Sequence, residues 1–271
     1  MKSFFRVVKA EALKQHKNYF HNKTIYISLF LWPLLSFVSA YFGYKPFAME
    51  KVAGSVDYVN EENLILFVLI GYLCMIFFRS LVQSAWMFSH ERIYGTLELI
   101  YLSPANRLAF VLGNCLSSLF ESVWLFIVFE AGLFVIRGNQ LHVQWEAAVL
   151  GIVMMILMAM LWGMLLNALF LFSRDTNFLF TVLEEPMELF AGIKIPSTVF
   201  PVWARAISSI FPLTYSAETL RRVMLRGDGL YQLRGYFLIS LLFAGFMLGI
   251  TMVCLRLGER HARKTGNMAL F

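Results

Sequence analysis

The side chains best equipped for chemistry in this chain are charges set in or between long apolar runs. The stretch that organises the chain is Glu91–Arg107, ERIYGTLELIYLSPANR, with two glutamates and two arginines between nearly uncharged neighbours. Its chemistry is recognition: Glu91, Arg92 and Glu98 can make charge-assisted hydrogen bonds to a partner. Thr96 can cap a helix, and Glu98 would sit near the helix start, where negative charge is favoured. Gly95 and Leu97 complete the knuckle, and Pro104 ends the helix or redirects it. A second set, Arg79, Glu121, Glu184, Glu185 and Glu188, falls inside or against apolar segments. Ionisable groups at such depth serve proton or ion carriage. Glu121 with Glu184 or Glu185 therefore suits an ion-coupled secondary carrier. Glu121 and Glu130 are nine residues apart and point to nearly opposite sides of a helix, so they form no carboxylate dyad.

Other chemistries lack their motifs. There is no G-x-x-x-x-G-K-[ST] loop to cradle ATP, no H-E-x-x-H and no G-x-S-x-G. His16, His21, His90, His142 and His261 are scattered among polar ends without ligand spacing. Cys74, Cys115 and Cys254 are an odd set inside apolar runs, which suits packing rather than disulfides or a metal cluster. No catalytic residue, metal site or bound cofactor is expected in this chain. The net charge of +6 comes without a dense basic patch interleaved with aromatics, so nucleic acid is not an expected partner. Basic ends of helices held against anionic headgroups are the better reading.

The elements that position these residues must be membrane helices. The 271 residues are 59% hydrophobic and only 15% charged, with 27 phenylalanines. Soluble domains run at about 45–50% apolar and about 25% charged. So much apolar side chain cannot be hidden in a soluble monomer of this size, and a polytopic membrane protein is expected. The start, MKSFFRVVKAEALKQHKNYFHNK, does not resemble a cleaved signal peptide. Residues 2–23 read as an interfacial helix with Phe5, Val8, Ala12 and Tyr19 toward lipid, or as a plain juxtamembrane tail. Expected spans are 24–44, kinked at Pro33, then 63–88, 108–136, 147–172, 177–193 and 231–254. In the second span Arg79 either snorkels to headgroups or makes a contact within the bundle or with a partner. The fifth is short, acidic and broken by Pro186. Residues 195–222, with Pro196, Pro201, Trp203, Pro212 and Tyr215, are too polar for a span and too apolar for a free loop. They read as short helices dipping into the outer leaflet and returning. Both termini are expected in the cytoplasm. The basic bias supports that orientation weakly, because Arg221, Arg222 and Arg226 then fall outside.

Two stretches carry a family resemblance. Glu91–Pro104 resembles the signature after the second span of ABC-2-type permeases, the membrane subunits of ABC exporters. Leu189–Leu225 resembles that family's second mark, here Gly192, Pro196, Pro201, Pro212, Leu213, Thr214, Tyr215 and Arg221. The resemblance implies an all-α polytopic fold of the type V exporter kind. It has six transmembrane helices, an amphipathic N-terminal helix and a re-entrant hairpin before the sixth span. It implies that Gly95, Thr96, Leu97 and Glu98 belong to a coupling helix docking on a separate ATP-binding subunit, which holds ATP and Mg. Two permease copies, as homo- or heterodimer, would pair with two such subunits in a bacterial plasma membrane. The cargo classes implied are drugs, antibiotics and lipid-like amphiphiles, or polysaccharides and glycolipids.

Overall fold

A computed structural model describes residues 2–19, 23–44, 56–59, 63–137, 143–169 and 176–265. The described residues form helices and turns and contain no strand. In chain order the helices are α1 (Lys2–Tyr19), α2 (Lys23–Tyr44), α3 (Leu64–Ile93), α4 (Thr96–Leu102), α5 (Arg107–Arg137) and α6 (Trp145–Leu169). Then come α7 (Thr176–Phe190), a 3-10 turn (Ser197–Val199), α8 (Val202–Ser208), α9 (Pro212–Arg221), a π turn (Arg222–Arg226) and α10 (Leu230–Thr265).

Three helices among the described residues are long and apolar enough to cross a membrane: Arg107–Ala131 of α5, Trp145–Leu169 of α6 and Leu230–Gly258 of α10. Leu64–Arg79 of α3 is a shorter apolar segment. Helix α7 has 15 residues, about 22 Å at the usual rise and short of the roughly 30 Å hydrocarbon layer. Pro186 lies inside it.

Helix α3 is the spine. Its Leu66, Phe67, Ile70, Phe77 and Phe78 are almost wholly buried and join Met155 and Met158 of α6, Phe110 and Cys115 of α5, and Leu213 and Leu220 of α9 in one core. The methionines of α6 fill that core, as expected of flexible, polarisable side chains. Cys74 and Cys115 are buried and carry no disulfide. Polar seams hold the helices in register: Asn114 Nδ2 donates to Asn167 Oδ1 at 3.1 Å, and Asn167 Nδ2 donates to the Gly163 carbonyl at 2.7 Å. The first of these joins α5 to α6 and contributes about 0.6 to 2 kcal/mol, while the second lies within α6 and orients the Asn167 amide.

The spine separates two polar ends. Helix α1 lies along the start of α5, where a Cβ on Gly113 would come within 2.8 Å of the Glu11 Cβ and the Val8 carbonyl. This corrects the expected face of α1. Val8 is buried with Glu11 and Gln15 against protein, while Phe5 and Leu13 are exposed. Close approach at Gly113 decides the face, and periodicity within α1 alone does not register it. At the opposite end α9 packs on the first turns of α3 and α6. There, a Cβ on Gly151 would meet Leu220 and Thr219 in ordinary contact.

Candidate functional site

Helix α3 runs past its expected end at Phe88 to Ile93, so Glu91 and Arg92 belong to it and not to the coupling helix expected over 91–104. Gly95 then takes φ 69°, a left-handed conformation that glycine adopts without steric cost. Nothing crowds its missing Cβ, so conformation rather than space calls for glycine there. Only Thr96–Leu102 is helical in the turn that follows. Thr96 does not cap this helix, because it is already the first helical residue behind Gly95. Its hydroxyl instead lies 2.5 Å from Glu91 Oε2 and 3.0 Å from the Glu91 carbonyl. Downstream, Ser103 Oγ donates to the Ile100 carbonyl at 2.7 Å. The Arg107 guanidinium donates to the Ser103 carbonyl at 3.0 Å and to the Ala105 carbonyl. A cation at the C-terminal carbonyls of α4 complements the helix dipole. Pro104 is exposed in the turn.

Glu91 is a hub facing inward. Besides Thr96 it accepts from Lys14 Nζ at 2.8 Å and from Gln15 Nε2 at 3.1 Å, both on α1. Lys14 also pairs with Glu11 at 3.0 Å, to which Gln15 donates at 2.9 Å. Burial pushes the Glu91 carboxyl up, but the bonds from Lys14 and Thr96 pull it further down, below the ordinary range. For Glu11 burial outweighs the bonds from Lys14 and Gln15, and its carboxyl sits above the ordinary range. Among the described side chains of the knuckle the large exposed ones are apolar: Tyr94 is 73% exposed, Leu99 67% and Leu102 83%. Attention to charge missed these three. The signal was present in their spacing, since Leu99 and Leu102 share one side of α4 at i, i+3. The side chains of Arg92, Leu97 and Glu98 lie outside the described ones.

In the middle of the bundle Arg79 of α3 meets Glu184 of α7, Nε to Oε1 at 3.1 Å. Glu184 is 4% exposed and Arg79 about half-exposed. Arg79 thus makes a contact within the bundle. Glu188 pairs with Lys194 at 3.2 Å, while Glu185 is exposed. The side chain of Glu121 is outside the described ones.

At the opposite end the prolines set the hairpin. Pro196 precedes the 3-10 turn, Pro201 precedes α8, and Pro212 opens α9, where its missing N–H costs nothing. Across the turn Thr214 Oγ1 donates to the Ser208 carbonyl at 2.7 Å and the Tyr215 hydroxyl to the Ser209 carbonyl at 3.0 Å. Trp203 is exposed, its ring 5.9 Å from that of Phe190. Arg221 is 2% exposed and bound to main chain. Its Nε donates to the Phe67 carbonyl at 3.0 Å, Nη1 to Gly192 at 2.7 Å and Nη2 to Ile193 at 2.6 Å. The neighbouring arginine takes the carboxylates: Arg222 Nε bonds Glu218 at 3.1 Å and Nη1 lies 3.6 Å from Asp228. Tyr58 donates to the same Glu218 at 2.8 Å. Arg226 pairs with Asp228 at 3.4 Å. The three arginines that weakened the charge bias are therefore each paired within the protein, Arg226 while remaining exposed.

The family described as ABC-2 type transporter matches residues 6–225. No curated protein matches the chain.

Proposed function

The chain belongs to the ABC-2 type transporter family, and from that premise we propose that it is the membrane permease subunit of an ATP-driven exporter. The ATP-binding subunit, which holds ATP and Mg, docks on the α4 knuckle. Two permease copies and two such subunits make the working unit, in a bacterial plasma membrane with both termini cytoplasmic. Helices α2, α3, α5, α6, α7 and α10 are the six spans, the short α7 being accommodated by local thinning of the bilayer. The α8–α9 hairpin re-enters from the outer side and closes the path there. The cargo is a drug, antibiotic or lipid-like amphiphile moved outward.

The observation that carries this reading is the knuckle itself. Tyr94, Leu99 and Leu102 stand exposed on a short helix tied at one end to Glu91 and at the other to Arg107. An apolar surface on a braced element suits a groove in a partner. Burying a leucine there is worth about 1.5–3 kcal/mol. A lever must not swivel freely if it is to pass force to α3 and α5, and these ties prevent that.

Reconstitution in vesicles tests the proposal. With an ATP-binding subunit present, a fluorescent amphiphile should move only when ATP is supplied. The chain alone under an ion gradient should move none. Transport by the chain alone would instead favour a secondary carrier. Gly95→Pro should leave the protein in the membrane but uncouple transport from ATP hydrolysis.

A further inference from the structure

We propose that Arg221 and Gly71 form the joint that makes the outer hairpin move with α3, a role that rests on the coupling function proposed above. Helix α3 is one unbroken rod from Leu64 to Ile93. Its inner end holds Glu91, and through it the knuckle. Its outer end holds Phe67 and Gly71, about 30 Å away along the axis. The Arg221 guanidinium lies flat over the Phe67 ring, 3.6 Å from its centroid. A Cβ on Gly71 would come within 2.0 Å of Nη2, so only a glycine leaves the notch in which the guanidinium sits.

The three donor nitrogens distribute their bonds with a purpose visible in the fold. One goes to α3 at Phe67 and two to the Gly192–Ile193 turn that follows α7. Arg221 itself ends α9. A single buried side chain therefore fastens α3, the end of α7 and the hairpin together. Breaking it would leave a cation and the Gly192 and Ile193 carbonyls unpaired in an apolar core, a strongly unfavourable state. The contact of α9 with α6 is of another kind. At Gly151 the two helices meet through methyl groups of Leu220 and Thr219, which an added Cβ would touch at ordinary contact distance. Tethered to α3 by buried hydrogen bonds and packed on α6 through apolar groups such as the Trp162 and Phe211 rings, which can slide, the hairpin follows α3 when the two helices shift. Lysine could not replace the arginine, because an ammonium cannot present three donors in a planar fork.

Spin-label distances test the joint. In the permease alone, labels at Leu64→Cys and Val202→Cys should give a narrow distribution that Gly71→Ala broadens. An unchanged distribution overturns the joint, whatever becomes of the ATPase reading. In the complex with the ATP-binding subunit, vanadate trapping should leave the Leu64–Val202 distance fixed and shift the distance from Val202→Cys to Val153→Cys on α6. A trapped state in which the Leu64–Val202 distance shifts instead also overturns it, and this measurement needs no change at the joint itself. Gly71→Ala and Arg221→Lys should both keep ATP hydrolysis near the wild-type rate while transport is lost. Full transport in either variant contradicts the proposal. A wild-type complex that does not hydrolyse ATP counts against the proposed function, and the resting distributions still decide the joint.

Discussion

Replacing Glu91 with alanine should loosen α1 from the knuckle. The carboxylate accepts from Lys14, Gln15 and Thr96 at 2.8, 3.1 and 2.5 Å. A buried bond to a charged group contributes about 1.5–3 kcal/mol. Lys14 is 37% exposed, so its share is screened to about 1 kcal/mol or less. Gln15 is buried but keeps its bond to Glu11, which limits its loss. The net weakening of the α1 anchorage is then about 2–3 kcal/mol, or roughly 30- to 150-fold in its opening equilibrium. Hydrogen exchange of the α1 amides in nanodiscs reads that equilibrium directly. Exchange in α1 should quicken by that factor while α6 stays protected. If α1 exchanges at the wild-type rate in Glu91→Ala, the carboxylate is not what holds α1, and the hub reasoning is wrong.

Gly113→Ala should also pry α1 away, since the new methyl would stand 2.8 Å from the Glu11 Cβ and the Val8 carbonyl. Overpacking of this kind costs about 1–3 kcal/mol, visible as a lower midpoint in thermal unfolding. Arg79→Met should destabilise the bundle by stranding the Glu184 carboxylate, and Arg79→Met with Glu184→Met together should restore most of the loss. Recovery of the double variant is read from the same melting curves. Leu102→Asp should weaken capture of the ATP-binding subunit by about 2 kcal/mol or more, near 30-fold, without lowering the amount of permease in the membrane. A titration of partner against permease in nanodiscs measures it.

The helical architecture was legible because lipid demands that backbone bonds be satisfied within the segment, which leaves apolar runs as the dominant signal. Proline punctuation likewise marked the short helices α8 and α9, which begin where Pro201 and Pro212 stand. What pattern could not give was which side chain meets which. Arg221 and Arg222 are adjacent and chemically identical, yet one binds only carbonyls and the other carboxylates. That division depends on the notch at Gly71, far away in sequence. The bounds of the knuckle were misread for a similar reason. Polar residues from Glu91 onward looked like the start of a new element, but a helix that has left the membrane does not end because its side chains become polar. The left-handed turn at Gly95 ends it. The pairing of Glu91 was hidden because its donors, Lys14 and Gln15, sit on α1, again far off in sequence.

The account stands on the knuckle facing the cell interior and being covered there by another polypeptide. Labelling of Leu102→Cys with a membrane-impermeant maleimide, in a chain whose half-buried Cys254 is replaced by serine, tests this most directly, since Cys74 and Cys115 are buried. The account predicts labelling in inverted vesicles, none in intact cells, and protection in the vesicles when the ATP-binding subunit is added. Labelling in intact cells, or labelling that the subunit leaves unchanged, would contradict it.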